Sequence, residues 1–483
     1  MRIERWQWRS ARLAAALALA LAGAAGCAAP SATSDMARIR ELSGARLPPV
    51  GSDEVDAETA DEARPLLARP LTADAAVRVA LLNNRELRAA LREVGVARGE
   101  LVQAGVLPNP EVGVEVMPRQ EGLEHTHVEL EVEYDLTSAI LSPVRERAAQ
   151  AELEAARYRA AGTVVELGYA VRAAFYGVQA SQQRLAIANR ALDALAAGRD
   201  AARALFEAGN TPELDAATQE AGYEAARITT AQIELELLER RERLHRLLGL
   251  SGAETTWRIA AEIPGAPEEL GLPPRAEARA IAASLELAEM RARLEAAGRR
   301  AGALRTEGSL PDMAVSLRGE REDEAWLVGA GLRLTVPLFD RNQGAAMARE
   351  AQFDSLLERY HGTAIDVRSA LRDARNRLSS AHARVRHYQR VVVPARKRVL
   401  DQALLQYNAM QIGVFQLLQV RREQLDAELA LVETLREFWT ARAAFDALLQ
   451  GRRVAHGEMT STATGAPAGM GGGGSAGSDE GGH

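Results

Sequence analysis

Acidic and basic side chains are the most numerous reactive groups in this sequence. There are 66 Asp and Glu against 59 Lys and Arg, with eight His and a single Cys. Their spacing does not match a catalytic site. There is no G-x-x-x-x-G-K-[ST] phosphate loop, no H-E-x-x-H zinc helix and no C-x-x-C pair. GGGGSAG near the C-terminus lacks the lysine and the preceding strand of a phosphate loop, and is linker by composition. The many acids are not paired with any candidate nucleophile in a catalytic pattern. Metal ligation fares no better. His125 and His127 lie two apart beside Glu121 and Glu124, His456, Met459, Met470 and His483 are scattered, and His382 and His387 are five apart where a helical pair needs four. We therefore expect no enzyme, no cofactor and no resident metal.

One acidic stretch does carry information. In HVELEVEYDL (127–136), Val128, Leu130, Val132, Tyr134 and Leu136 alternate with His127, Glu129, Glu131, Glu133 and Asp135. Side chains alternate faces along a strand, so one face is oily and the other acidic. Val112, Val114 and Val116 alternate in the same way with Glu111, Gly113 and Glu115. From Trp326 to Val336 the apolar positions alternate with Leu327, Gly329, Gly331, Arg333 and Thr335. Apolar toward lipid and polar toward a wet lumen is the pattern of a membrane barrel strand; a soluble amphipathic sheet has the same period. On the barrel reading Glu111, Glu115, Glu129, Glu131, Glu133, Asp135 and Arg333 line the lumen, and the excess of acids predicts a cation-favouring mouth. Four strands cannot close a barrel, and an open edge in lipid leaves backbone amides unpaired. Several copies must then share one barrel, and three would supply twelve strands.

The elements that position these strands come twice. ELRAALREVGVARGELVQAGVLPNPEVGVEV (86–116) parallels ELAEMRARLEAAGRRAGALRTEGSLPDMAVSL (286–317), and FEAGNTPELDAATQE (206–220) parallels MQIGVFQLLQVRREQ (410–424). Each unit is predicted as helix, β-hairpin, long helix, tight turn, helix. In the first, Thr72 caps a helix over about 73–105, strands occupy about 111–117 and 127–136, and Pro143 starts a rod that runs to Gly209. Leu185, Ala188, Leu192 and Leu195 give that rod a coiled-coil seam. In the second, the rod spans about 343–407 with a kink at Pro394, and the last helix about 414–450. The fold class is mainly α with a small β part. Composition fits: 47% of residues are hydrophobic, only 4% aromatic, and the net charge of −7 argues against nucleic acid.

The first 26 residues have the layout of an export signal, an Arg-rich start and then LAAALALALAGAA. AAGCAAP follows, and it resembles a bacterial lipoprotein cleavage site with Cys27 as the acylated residue; cleavage of an ordinary signal nearby is the alternative. The remaining boundaries are a lipid-anchored linker over 27–70, expected to be mostly disordered, a first repeat over 71–250 and a Pro/Gly-rich link over 251–275. A second repeat covers 276–452, and a Gly-rich tail, expected to be disordered, covers 453–483.

LTADAAVRVALLNNRELRAA, GVLPNP before the first hairpin, LTVPLFDRNQG after the second, LFEAGNTPELD and YNAMQIGVFQLLQ together resemble the TolC-like outer membrane efflux proteins, nearest the lipoprotein branch paired with resistance-nodulation-division pumps. The resemblance covers roughly 71–450. It implies a homotrimer in the bacterial outer membrane, with four strands per chain in a shared β-barrel above a long periplasmic α-barrel. It also implies two partners, a periplasmic adaptor (membrane fusion) protein and an inner-membrane pump, for an exit duct that passively conducts heavy-metal ions or small toxic compounds. Gly209, Asn210, Thr211 and Leu214 of one turn and Gly413, Val414, Phe415 and Leu418 of the other would form the adaptor-contacting tip. Asp215 would close the aperture. Gln419 and Arg422 stand where the family often has further acids, so an Asp215–Arg422 contact is the expected substitute; alternatively Asp215 simply favours a helix N-terminus. A lipid-anchored periplasmic coiled-coil scaffold is the competing reading of the whole chain. An adaptor subunit is disfavoured, because two helical units with little strand do not match a single hairpin set in β-rich domains.

Overall fold

The computed structural model describes residues 31–48, 53–117, 127–308, 311–322 and 325–454. The signal segment, Cys27, the 118–126 loop with His125, and the tail beyond 454 lie outside the described residues. Two short helices, α1 (Ala32–Ser43) and α2 (Asp53–Ala68), precede the repeats. The first repeat comprises α3 (Ala73–Asn83), α4 (Arg85–Gly105), β1 (Glu111–Met117), β2 (His127–Asp135), α5 (Leu136–Glu207) and α6 (Glu213–Leu248). The second comprises α7 (Ala276–Ala283), α8 (Leu285–Glu307), β3 (Asp312–Glu322), β4 (Ala325–Thr335), α9 (Gln343–His387), α10 (Val393–Asn408) and α11 (Val414–Leu449). The helix–hairpin–rod–turn–helix plan is therefore present twice.

Three expectations change. The helix over 73–105 is broken at Asn84, and its counterpart is broken at Ser284. Each of these residues ends one helix and caps the next, with Leu87 N donating to Asn84 Oδ1 at 2.8 Å and Leu287 N to Ser284 Oγ at 3.3 Å. The breaks receive the far ends of the units. Gly249 (φ +67) closes α6 against the Asn83 carbonyl, and Gly451 (φ +92) follows α11 against that of Ala283. An added Cβ would come within 2.6 Å and 1.9 Å of those two oxygens. Asn84 Nδ2 donates to the Leu247 carbonyl at 3.0 Å, and Leu285 N to that of Gly451 at 2.9 Å.

Second, α5 starts seven residues before Pro143, at Leu136, because the Asp135 carboxylate accepts from Ser138 N at 2.9 Å and caps it. Only the second unit starts its rod at the corresponding position, Gln343. At 72 residues α5 is about 108 Å long. Third, disorder does not hold for the described part of 28–70. In α1, Asp35 is buried and accepts from Arg98 Nε at 2.7 Å and Arg157 Nε at 3.0 Å, beside buried Met36 and Ile39.

The rod of the second unit is interrupted near Pro394, as expected, by a π turn at Tyr388–Val392. Proline has no N–H for the i−4 carbonyl and crowds it, which breaks the α ladder there. Above the turn, buried Val367, Leu371 and Leu378 match buried Leu167, Val171 and Val178; below it, buried Ala403 matches buried Ala202. The spacing between the units thus grows from 200 to 201, and the wider turn absorbs the extra residue.

The long helices pack in the order α6, α5, α11, α9, with α10 continuing along α11. One core unites α1, α3, α4, α5 and α6 around Ile39, Leu81, Leu153, Val171 and Leu244; the other joins α5, α9 and α11 around Leu378, Leu425, Phe438 and Phe445. The link between the repeats forms a belt across them. Gln179 Nε2 donates to the Glu262 carbonyl at 2.7 Å, Trp439 Nε1 to that of Pro264 at 2.8 Å, and His382 Nε2 meets that of Pro267 at 2.8 Å.

Candidate functional site

The four strands form one antiparallel sheet in the order β1-β2-β3-β4. The register joins the hairpins through β2 and β3, with Val132 opposite Leu317 and Glu131 opposite Arg318. Pairing partners share a face, so one face carries Val112, Val114, Val116, Leu130, Val132, Val315, Leu317, Val328, Leu332 and Leu334. All of these are exposed, Val328 by 78% and Val112 by 68%. A continuous uncovered apolar surface of this kind marks an interaction with membrane or protein. Trp326 pairs with Arg321 at the hairpin end of that face, and its ring lies across Gly319. From Trp326 to Thr335 is nine strand steps, about 30 Å along the chain, or ~23 Å in height at the ~40° tilt of barrel strands. That matches the apolar band of a membrane barrel.

The opposite face carries Glu111 and Glu115 on β1, Glu129, Glu131, Glu133 and Asp135 on β2, and Arg333 on β4, so the sequence placed all seven on one side. Glu133 accepts from Arg333 at 2.7 Å. The sequence reading missed Arg318, which reaches Glu129 at 2.6 Å and Glu131 at 3.2 Å. The signal was available, since Arg318 keeps the even spacing from Ala314 along β3. Asp135 shares this face, but its carboxylate is spent on the start of α5. The acids still outnumber the two arginines. Within the single chain the outer edges of β1 and β4 have no partner strand among the described residues.

At the other end of the rods the two tight turns have the same backbone. After α5, Gly209 N donates to the Phe206 carbonyl at 2.8 Å and Asn210 N to that of Leu205 at 2.8 Å; after α10, Met410 N donates to that of Tyr407 at 2.9 Å and Gln411 N to that of Gln406 at 2.9 Å. Gly209 (φ +74) therefore corresponds to Met410 (φ 55), not to Gly413. The parallel drawn between 206–220 and 410–424 is three residues out of step, because the conspicuous glycine of the second turn is the residue that precedes α11, with φ −82. Gly209, Asn210 and Leu214 are exposed and Thr211 is half-buried; Val414 and Phe415 are half-buried, and Met410 is 94% exposed. Leu418 is also half-buried, and its Cδ1 lies 2.5 Å from where a Cβ on Gly198 would stand, which seats it against α5.

Asp215 Oδ2 accepts from Thr211 Oγ1 at 2.9 Å, in the first turn of α6. Gln419 donates to Glu423 at 3.1 Å, and Arg422 is exposed. Among the described residues of one chain, the expected Asp215–Arg422 contact is not made. Asp215 closes the local turn instead.

The chain is similar to known proteins over most of its length. The outer membrane efflux protein family matches residues 76–250. The cobalt-zinc-cadmium resistance protein CzcC of Cupriavidus metallidurans is 27% identical over 392 residues, covering 79% of this chain and 90% of that one. The fold is similar to that of the CmeC outer membrane channel of Campylobacter jejuni, with a TM-score of 0.69 at 14% identity over 79% of this chain and 86% of that one. It is also similar to a membrane protein from Pseudomonas aeruginosa, with a TM-score of 0.68 at 20% identity over 78% and 92%. With its duplicated rods, its tip turns and its one-sided apolar sheet, the chain is similar to the outer membrane efflux proteins, in sequence over residues 76–250 and in fold over most of its length.

Proposed function

We propose that this protein is the exit duct of a tripartite efflux system, working as a homotrimer whose copies share one twelve-stranded barrel. The observation that carries this reading is the four-stranded sheet with one face largely apolar and uncovered and with both edges unpaired among the described residues. Each unpaired amide in lipid costs several kcal/mol, and a closed ring of copies pairs β4 of one with β1 of the next. The rods continue from these strands, so a closed sheet above implies a closed helical tunnel below. Conduction through it is passive, and the driving energy belongs to the inner-membrane pump. A periplasmic adaptor would meet the exposed tip around Gly209, Leu214 and Met410. Pump and adaptor choose the cargo, for which CzcC's name suggests heavy-metal ions; small toxic compounds are the other class.

Fractionation followed by gel migration without heating tests the assembly. A detergent-resistant oligomer in the outer membrane fraction that conducts ions in planar bilayers is expected. A monomer stable in buffer without detergent would establish the scaffold reading instead. Cys27 is a separate anchor. Cys27→Ser should abolish fatty-acid labelling and leave the oligomer intact, because the barrel itself holds the membrane; undiminished labelling would rule out acylation at this residue.

A further inference from the structure

A groove of about 1210 Å³ crosses the four long helices. It lies opposite the belt. Gly177, Arg384 and Glu437 line it and stand two residues from the belt-binding Gln179, His382 and Trp439, which is ~200° round a helix. Six arginines line it, Arg240, Arg243 and Arg246 from α6, Arg377 and Arg384 from α9 and Arg436 from α11, against the acids Glu236, Glu239 and Glu437. Arg240 is held by Glu236, Arg377 by Asp373 at 2.8 Å, Arg384 by Glu437 at 2.6 Å and Arg436 by Glu433 at 2.5 Å. Arg243 and Arg246, one turn apart and exposed, have no ion-pair partner among the described residues. Burial lowers the Arg240 pKa, and the charges of Arg436 and Arg184 add to that against the pull of Glu236. The groove thus keeps an unneutralised positive field. Thr440 Oγ1 is buried in its lining with no hydrogen-bond partner among the described residues.

We propose that this groove is a binding site for a small polyanion, a molecule bearing two or more carboxylate or phosphate groups, with Arg243 and Arg246 as its principal ligands. Guanidinium forks bind such groups in pairs of parallel hydrogen bonds, which an ammonium does not do. Two forks one helical turn apart, about 5–6 Å, suit two anionic groups on one molecule better than a lone monoanion. The site rests on the channel reading only for its address. The belt cannot thread a tunnel without blocking it, so the opposite side faces the lumen. It is a wall site and not a filter, because screening over about 8 Å at physiological salt hides it from solutes passing along the axis. It repels a bare divalent cation.

The test is isothermal titration of the full-length protein in detergent with citrate at constant ionic strength, with acetate as the monoanion control. Saturable citrate binding and none by acetate are expected. Arg243→Gln/Arg246→Gln should weaken citrate binding about tenfold or more, and the double Lys variant should fall between. Glu239→Gln, which removes a competing acid, should tighten it. No saturable citrate binding, or equal affinity in the double Gln variant, overturns the proposal. Unheated oligomer and thermal midpoint, expected to be unchanged, report that the variants fold; if the double variant does not fold, the single Arg246→Gln variant takes its place, with weaker citrate binding expected and equal affinity overturning the proposal. Planar-bilayer conductance of the same preparation separates the two readings. Conduction without citrate binding overturns the groove alone, and citrate binding without conduction overturns the channel alone.

Discussion

Single residues decide how each unit closes. Gly249 and Gly451 have positive φ and press on the backbone of the preceding helix break. Gly249→Ala and Gly451→Ala should each lower stability by at least ~2 kcal/mol, since left-handed strain and a backbone clash add. Gly209→Ala has open space around it and should cost only ~1 kcal/mol. Thermal melts of the three variants check the ranking, and equal losses would contradict it. Glu433 gives a pH signature. Burial pushes its carboxyl upward, but the Arg436 hydrogen bond and the charges of Arg436, Arg184 and Arg240 prevail, and its pKa is lowered from the ordinary 4.5. A depressed acid stabilises the fold above its unfolded pKa and loses that contribution as pH falls through the folded one. Stability should therefore drop below about pH 4.5 more steeply in wild type than in Glu433→Gln, measured by the melting midpoint.

At the scale of elements, the strands were legible because a period of two survives in any environment that separates their faces. Val112 to Val116 and Trp326 to Val336 needed no tertiary information. The breaks at Asn84 and Ser284 were not legible. Neither residue is a strong breaker in a polar helix, and each break depends on the end of a unit docking from more than 160 residues away. Helix α1 was missed for the same reason: its Asp35 is satisfied by Arg98 and Arg157, 63 and 122 residues distant. The tip turns were found but misaligned, because a methionine occupies the left-handed position in the second. That strain predicts a stabilising change. Met410→Gly should raise the thermal midpoint, by about 1 kcal/mol of stability, and lower efflux in cells if the exposed thioether meets the adaptor. A lower midpoint would refute the assigned turn geometry.

For the whole molecule, the proposed channel makes the sheet's charged face the lining of its mouth. Glu131 and Glu133 are paired with Arg318 and Arg333, so reversing the two acids also releases Arg333, while Arg318 keeps Glu129. Glu131→Lys/Glu133→Lys should then shift reversal potentials in planar bilayers away from cation preference. Unchanged selectivity would reject this face as the lumen. The π turn at Tyr388–Val392 matters at the same scale. One surplus residue in an ordinary helix would lengthen one rod of the pair by ~1.5 Å and spin its end by ~100°. Taken up by a single widened coil, it leaves both bends of the chain at matching heights and orientations, so a docking ring would meet a level rim in place of a staggered one.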